Sequence, residues 1–123
     1  YTPDVVCVNL GTNDLSTTGC DSVRLYNAYE NFIKTLRRNY PEAKIVLLTG
    51  SMLSGKSLSL VCNTLDRVTE TFHKAGDKEV YRFDMSPQTG ELGYGASWHP
   101  SLLQQQRMAD ELTPYLRNLM GWE

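Results

Sequence analysis

Three short segments of this sequence hold residue types that can do chemistry. In NLGTNDLS, residues 9–16, Asn13 and Asp14 follow closely on Gly11. A glycine at a strand end lets the backbone turn sharply. An asparagine amide just beyond it is a neutral, fixed donor, suited to an oxyanion that appears only in a transition state. The plain alternative is a turn in which Asn13 and Asp14 cap backbone groups. In GSMLSGKS, residues 50–57, Gly50, Gly55, Lys56 and Ser57 fit the phosphate-loop pattern G-x-x-x-x-G-K-[ST]. In GYGASWHPS, residues 93–101, His99 stands beside Trp98, just ahead of a helical stretch. A loop histidine there can act as a general base, or it can simply cap or pack. The only other histidine, His73, falls in the polar end of a helical stretch.

These segments need elements to position them, and the sequence supplies a repeating pair. DVVCVNLG, residues 4–11, is a near-continuous apolar run, as in a parallel strand buried on both faces. Residues 21–41 then set Tyr26, Tyr29, Ile33, Leu36 and Tyr40 at helical spacing, with Pro41 as the stop. AKIVLLTG predicts a second strand. The helix after it carries Leu58, Val61, Leu65, Val68 and Phe72 on one face and ends near Gly76. EVYRFDM, residues 79–85, predicts a third, shorter strand, followed by a Gly-, Ser- and Pro-containing loop over 86–99. Pro100 opens the last helix, where a missing N–H costs nothing. Leu103, Met108, Leu112 and Leu119 belong to that helix, and Pro114 is expected to kink or split it. Strands alternating with helices predict an α/β fold, a parallel sheet with helices on both faces. Ligands of such sheets bind beyond the carboxyl ends of the strands. All three candidate segments fall there.

The phosphate loop lacks support elsewhere. A nucleotide hydrolase also needs a carboxylate at the end of an apolar strand to help hold magnesium. Asp84, in VYRFD, is the only later strand-end aspartate, and Arg82 interrupts the apolar run before it. The pattern fixes only four positions. The alternative is a strand-to-helix turn in which Gly50 and Gly55 give backbone freedom and Lys56 is solvated.

Composition bounds the function from outside. The 123 residues are 41% hydrophobic and 21% charged, with a formal net charge of -2, ordinary for a globular domain with a real core. That charge gives no electrostatic footprint for nucleic acid or an anionic membrane. No apolar run reaches membrane-spanning length. Cys7, Cys20 and Cys62 are too few and scattered for a disulfide framework, and no Cys-x-x-Cys pair suggests zinc. Cys7, in an apolar strand, is expected to be a buried, inert thiol. Residue 1 is Tyr and a strand follows at once, so the chain is expected to be part of a longer protein.

Taken together, PDVVCVNLGTND (residues 3–14) and SWHPS (residues 97–101) resemble the third and fifth blocks of the SGNH hydrolases, or GDSL-type esterases. The wording is most similar to the acetyl esterases of carbohydrate esterase family two. These share the Gly-Thr-Asn-Asp strand end, a Tyr-rich helix, YPEAKIVLLTGSML-like wording and a late Trp-His-Pro-Ser. The resemblance runs over nearly the whole chain. It implies a three-layer α/β/α, flavodoxin-like SGNH fold of which residues 1–123 form the C-terminal portion of one catalytic domain. It implies Asn13, with Gly11 turning the strand end, in the oxyanion hole, and His99 as the catalytic base. Trp98 would offer a flat face to a sugar ring, Tyr94 would line the acyl pocket and Asp14 would brace the loop. The implied partner is an acetylated oligosaccharide or polysaccharide of plant cell walls, outside the cell or in the periplasm. No metal or organic cofactor is implied, and no nucleic acid or membrane.

Two departures qualify the resemblance. The family's nucleophile lies in a Gly-Asp-Ser block after the domain's first strand, and no such block is present here. Ser16, Ser51, Ser54 and Ser57 lack that setting, so the nucleophile is expected on an N-terminal segment of the same protein outside this chain. Many relatives also place an Asp just before the histidine. Here Ser97 and Ala96 stand at the two candidate positions, and a backbone carbonyl is the expected acceptor, giving a Ser-His dyad. Three readings follow. They are a carbohydrate acetyl esterase, an SGNH esterase or lipase on another acyl ester, and a non-enzyme that binds nucleotide through residues 50–57 or binds glycan without turnover. A sheet lacking two strands is expected to expose an edge unless a partner covers it.

Overall fold

The computed structural model describes residues 1–16 and 21–123, and of Ser16 only the backbone. The sheet is parallel and three-stranded, in the order β1 (Val5–Val8), β2 (Lys44–Thr49), β3 (Val80–Asp84). Val5 pairs with Lys44 and Val8 with Leu47; Ile45 pairs with Val80 and Thr49 with Asp84. The helices are α1 (Thr12–Ser16), α2 (Ser22–Asn39), α3 (Gly55–Lys74) and α4 (Leu102–Met120), with a short 3-10 turn at Ala96–Trp98 before α4.

Side chains alternate across the strands, so two cores form, one on each face. Val6, Val8, Ile45, Leu47 and Val80 meet α2 and α3, which contribute Leu25, Tyr29, Ile33, Val61, Leu65, Val68 and Phe72. Val46 and Leu48 of β2 and Phe83 of β3 meet α4 through Met108, Leu112, Tyr115, Leu116 and Leu119. The architecture is therefore three-layered, as expected. Ile33, Ile45, Leu47, Leu65 and Val80 are fully enclosed, each worth about 1.5–3 kcal/mol of burial.

The amino edge of the sheet is pinned by Arg37. Its guanidinium bonds both Asp77 oxygens, at 2.9 and 3.3 Å, and the backbone carbonyls of Tyr40, Pro41, Ala43 and Glu79. Asp21 caps α2 by accepting from Val23 N at 2.9 Å, a cap worth about 0.5–2 kcal/mol.

Three expectations are corrected. Pro100 does not open α4; Ser101 is its N-cap and accepts from Gln104 N at 3.1 Å, so Pro100 lies just outside. Pro114 does not split the helix, which runs unbroken from Leu102 to Met120. Pro114 sits on the exposed side, where water can reach the carbonyl it leaves unbonded, while Leu112, Tyr115 and Leu116 hold the helix to the sheet. Leu103 lies in α4, as expected, on its exposed side, with Gln104 turned inward. Cys7 is exposed, not buried. It shares the face of Val5 on an edge strand of the described sheet. Cys20 lies outside the described residues.

Candidate active site

The carboxyl ends of all three strands lie on one edge, and each leads into one of the chemically promising segments. After β1 the chain is held by Tyr29. Its buried hydroxyl donates to Leu10 O at 2.6 Å and accepts from Leu10 N at 3.2 Å. Burial pushes the Tyr29 phenol above its usual range, so it stays neutral and able to donate. Gly11 follows with φ +112°, a backbone only glycine adopts readily. An added Cβ would meet ordinary contacts with Val61 and Leu25, so the conformation, not space, requires glycine. Leu15 N then donates to Gly11 O, closing α1. Asn13 and Asp14 therefore lie in the first turns of a short helix, both exposed at the sheet edge.

After β2, Gly50 packs against Asn9. A Cβ there would sit 2.9 Å from Asn9 Nδ2 and 3.2 Å from Oδ1, so a side chain at residue 50 would displace the Asn9 amide. Ser51 is buried and donates to Met108 Sδ at 3.3 Å. Leu53 is buried in the α2–α3 core. Gly55, Lys56 and Ser57 form the first turn of α3, with Lys56 exposed. Asp84 is already engaged, accepting from Thr49 Oγ1 at 2.8 Å and pairing with Arg82 at 2.8 Å. Gly50 and Ser51 thus serve loop packing, and the strand-end carboxylate is committed to a strand-edge network rather than aimed at a phosphate.

After β3 the chain is stitched to the end of β2: Met85 N donates to Thr49 O at 3.0 Å and Gln88 N to Ser51 O at 2.8 Å. Ser86 N donates to Glu111 Oε2 at 2.9 Å. That bond, with Arg107 beside it, holds the Glu111 carboxyl below the usual carboxylate range. Ser101 Oγ donates to Leu92 O at 2.7 Å, fastening the loop to the start of α4. Between these anchors Tyr94 and Pro100 form an antiparallel bridge, and Gly95 N donates to His99 O at 2.7 Å.

His99 sits at the head of this turn. Ala96 O accepts from His99 N at 3.1 Å and lies 2.9 Å from His99 Nδ1. A carbonyl only accepts, so Nδ1 carries the proton, and Nε2 of the neutral ring keeps its lone pair. This is the backbone acceptor expected in place of a carboxylate. Ser97 and Trp98 carry the chain over it in the left-handed region, at φ 53° and 63°. The Trp98 ring is 71% exposed and meets the Tyr94 ring edge-on, with centroids 5.2 Å apart.

Gly11, Asn13 and Asp14 thus stand on one loop, and Tyr94, Trp98 and His99 on another, on strands separated only by β2. Both segments follow the carboxyl ends of strands in the same parallel sheet. Among the described residues no group of three or more His, Cys, Asp or Glu is placed to hold a metal ion. Sequence reasoning missed Gln88, Glu111 and Ser101 as supports of the histidine loop. The Ser-x-x-Gln step at 101–104 was the one available signal, a helix N-cap.

Comparison with known proteins decides the family. The model of the GDSL-like lipase/acylhydrolase family matches residues 1–112. The chain belongs to the GDSL-like lipase/acylhydrolases. It is 43% identical over 122 residues to cellulase/esterase CelE of Acetivibrio thermocellus, a match covering 99% of this chain and 15% of that protein. It is 33% identical over 122 residues to an acetylxylan esterase / glucomannan deacetylase of Cellvibrio japonicus, covering 99% of this chain and 32% of the relative. The structure of a family two carbohydrate esterase from Clostridium thermocellum in complex with cellohexaose superposes with a TM-score of 0.96 at 42% identity. That match covers 100% of this chain and 38% of the solved one. This GDSL family member therefore has the SGNH hydrolase fold, and spans well under half the length of each of these relatives.

Proposed function

We propose that this chain is part of the catalytic domain of a carbohydrate acetyl esterase acting on acetylated plant cell-wall polysaccharides or oligosaccharides. The observation that carries the reading is the bond between His99 Nδ1 and Ala96 O. It fixes the tautomer whose Nε2 can take a proton, in a loop at the ligand edge of the sheet. A serine elsewhere in the full-length protein attacks the acetyl carbonyl, and His99 Nε2 accepts the serine proton. When the tetrahedral species collapses, His99 returns that proton to the departing sugar alcohol. In the second half-reaction His99 activates water by the same route. Asn13 donates to the oxyanion, and Gly11 sets its approach. The exposed Trp98 ring, braced by Tyr94, gives a sugar ring a flat apolar face.

Two observations support a serine outside these residues: no Gly-Asp-Ser block is present, and the solved relative is more than twice as long. The same outside segment would pair with the open edge of β1 and cover Cys7. A substrate carried in plant cell walls argues for a secreted or periplasmic enzyme. The test is acetate release by the full-length protein from acetylated xylan and glucomannan, compared with long-chain acyl esters. Release from the polysaccharides supports the reading. Turnover of the long-chain esters alone would move the protein to another acyl substrate.

A further inference from the structure

We propose that Gln88 is a positioning residue for His99, holding the catalytic turn in register with the central strand. The inference rests on the reading of His99 as the base, and goes beyond it by naming what orients that base. The turn at 95–99 places two successive non-glycine residues, Ser97 and Trp98, in the left-handed region. Such backbone persists only where its surroundings over-determine it. Three of the bonds that hold it are internal: Gly95 N to His99 O, His99 N to Ala96 O, and His99 Nδ1 to the same Ala96 O. These could move together as a unit and would not fix the unit against the sheet.

Gln88 supplies that link. Its backbone N donates to Ser51 O at 2.8 Å, and Ser51 is buried just past the end of β2. Its side-chain Nε2 donates to Trp98 O at 2.8 Å. One residue thus joins the end of the central strand to the peptide between Trp98 and His99. Its Oε1 is buried without a hydrogen-bond partner among the described residues, so the bond to Trp98 O is what orients the amide. Without that donor the Trp98 carbonyl is free to turn. Ser97 and Trp98 can then relax out of the left-handed region, and Ala96 O moves off Nδ1.

The requirement is for a donor of this length. Methionine at 88 keeps the bulk and removes the donor. An ionised glutamate keeps the shape and presents lone pairs to the Trp98 carbonyl. The experiment compares full-length wild type, Gln88→Met, Gln88→Glu and His99→Ala in acetyl ester hydrolysis. The Nδ1 proton of His99 is followed by proton NMR, and thermal midpoints are recorded alongside. The expected result is a kcat loss approaching about 10²-fold in Gln88→Met, the scale of a misplaced catalytic group. KM and midpoint stay near wild type, the Nδ1 proton signal broadens or disappears, and Gln88→Glu behaves the same way. An inactive His99→Ala beside fully active Gln88 variants that keep the Nδ1 signal overturns this proposal alone. A fully active His99→Ala overturns the base assignment itself. A collapse of the midpoint in both Gln88 variants, with kcat per folded molecule unchanged, shows a purely structural role and also overturns it.

Discussion

The loop after β3 is fastened to the molecule along its length, whereas among the described residues the bonds that hold the loop after β1 centre on the Tyr29 hydroxyl. Between Met85 and Ser101 the first loop is bonded to Thr49, Ser51 and Glu111, braced from within by Gln88 Nε2 on Trp98 O, and closed by the Tyr94–Pro100 bridge. The second is clamped at Leu10 by the Tyr29 hydroxyl and turned at Gly11. Its strand, β1, pairs only with β2 among the described strands. Under the roles proposed for His99 and Asn13, the difference matches the two tasks. A general base must present one nitrogen along one direction, so its loop is over-determined. An oxyanion donor works together with other N–H groups, and its loop borders the open strand edge where the rest of the domain would add them.

The comparison can be broken at several points, in full-length protein. His99→Ala should have the largest effect, a fall in kcat of roughly 10²–10⁴-fold with the melting midpoint nearly unchanged. Steady-state hydrolysis of an acetyl ester beside a thermal scan checks both. Asn13→Ala should lower kcat by roughly 10²–10³-fold with little change in KM; a change confined to KM would make Asn13 a binding group. Tyr29→Phe leaves Leu10 N and O without their buried partner. It should cost about 1–3 kcal/mol in urea unfolding, and a loss in kcat should come with it because the Asn13 loop is freed.

Acid should weaken the β3 loop. Ser86 N and Arg107 hold Glu111 below the usual carboxylate range, so its stabilising contribution is complete above that range. It is lost as the pH falls through the depressed folded value. Glu111→Gln should therefore lower the midpoint at neutral pH and flatten its decline in acid, read from melting curves over a pH series. The smallest effect belongs to Lys56→Ala, which should leave ester turnover unchanged. Wild type should show no magnesium-ATP binding in calorimetry, and micromolar binding lost in the variant would revive the phosphate loop.

The strands and the packed helices were legible because their residues follow strict periods. β2 reads as an unbroken apolar run, and Val61, Leu65, Val68 and Phe72 fall on one helical stripe. Periodicity could not show that residues 12–16 form a helix, since Asn and Asp there serve a turn as readily. Nor could it show that α4 would run through Pro114, which depends on that residue facing solvent. Among the candidate site residues, the placement of Asn13 just after β1 and of His99 in the loop before α4 was readable. The acceptor on His99 was expected as a backbone carbonyl, but only the left-handed pair at Ser97 and Trp98 explains how Ala96 reaches it. Gln88 gave no signal, because a glutamine in a loop has no period and its partner lies ten residues away. The phosphate-loop pattern was the strongest motif by wording. In the fold its Gly50 serves a close approach to Asn9.

The account turns on His99 activating a serine that lies outside residues 1–123. The most direct measurement is the site and rate of fluorophosphonate labelling in the full-length protein. The predicted result is one labelled serine outside this segment, with labelling slowed sharply in His99→Ala. A label on Ser51, Ser54 or Ser57, or an unchanged rate in the His99 variant, would contradict it.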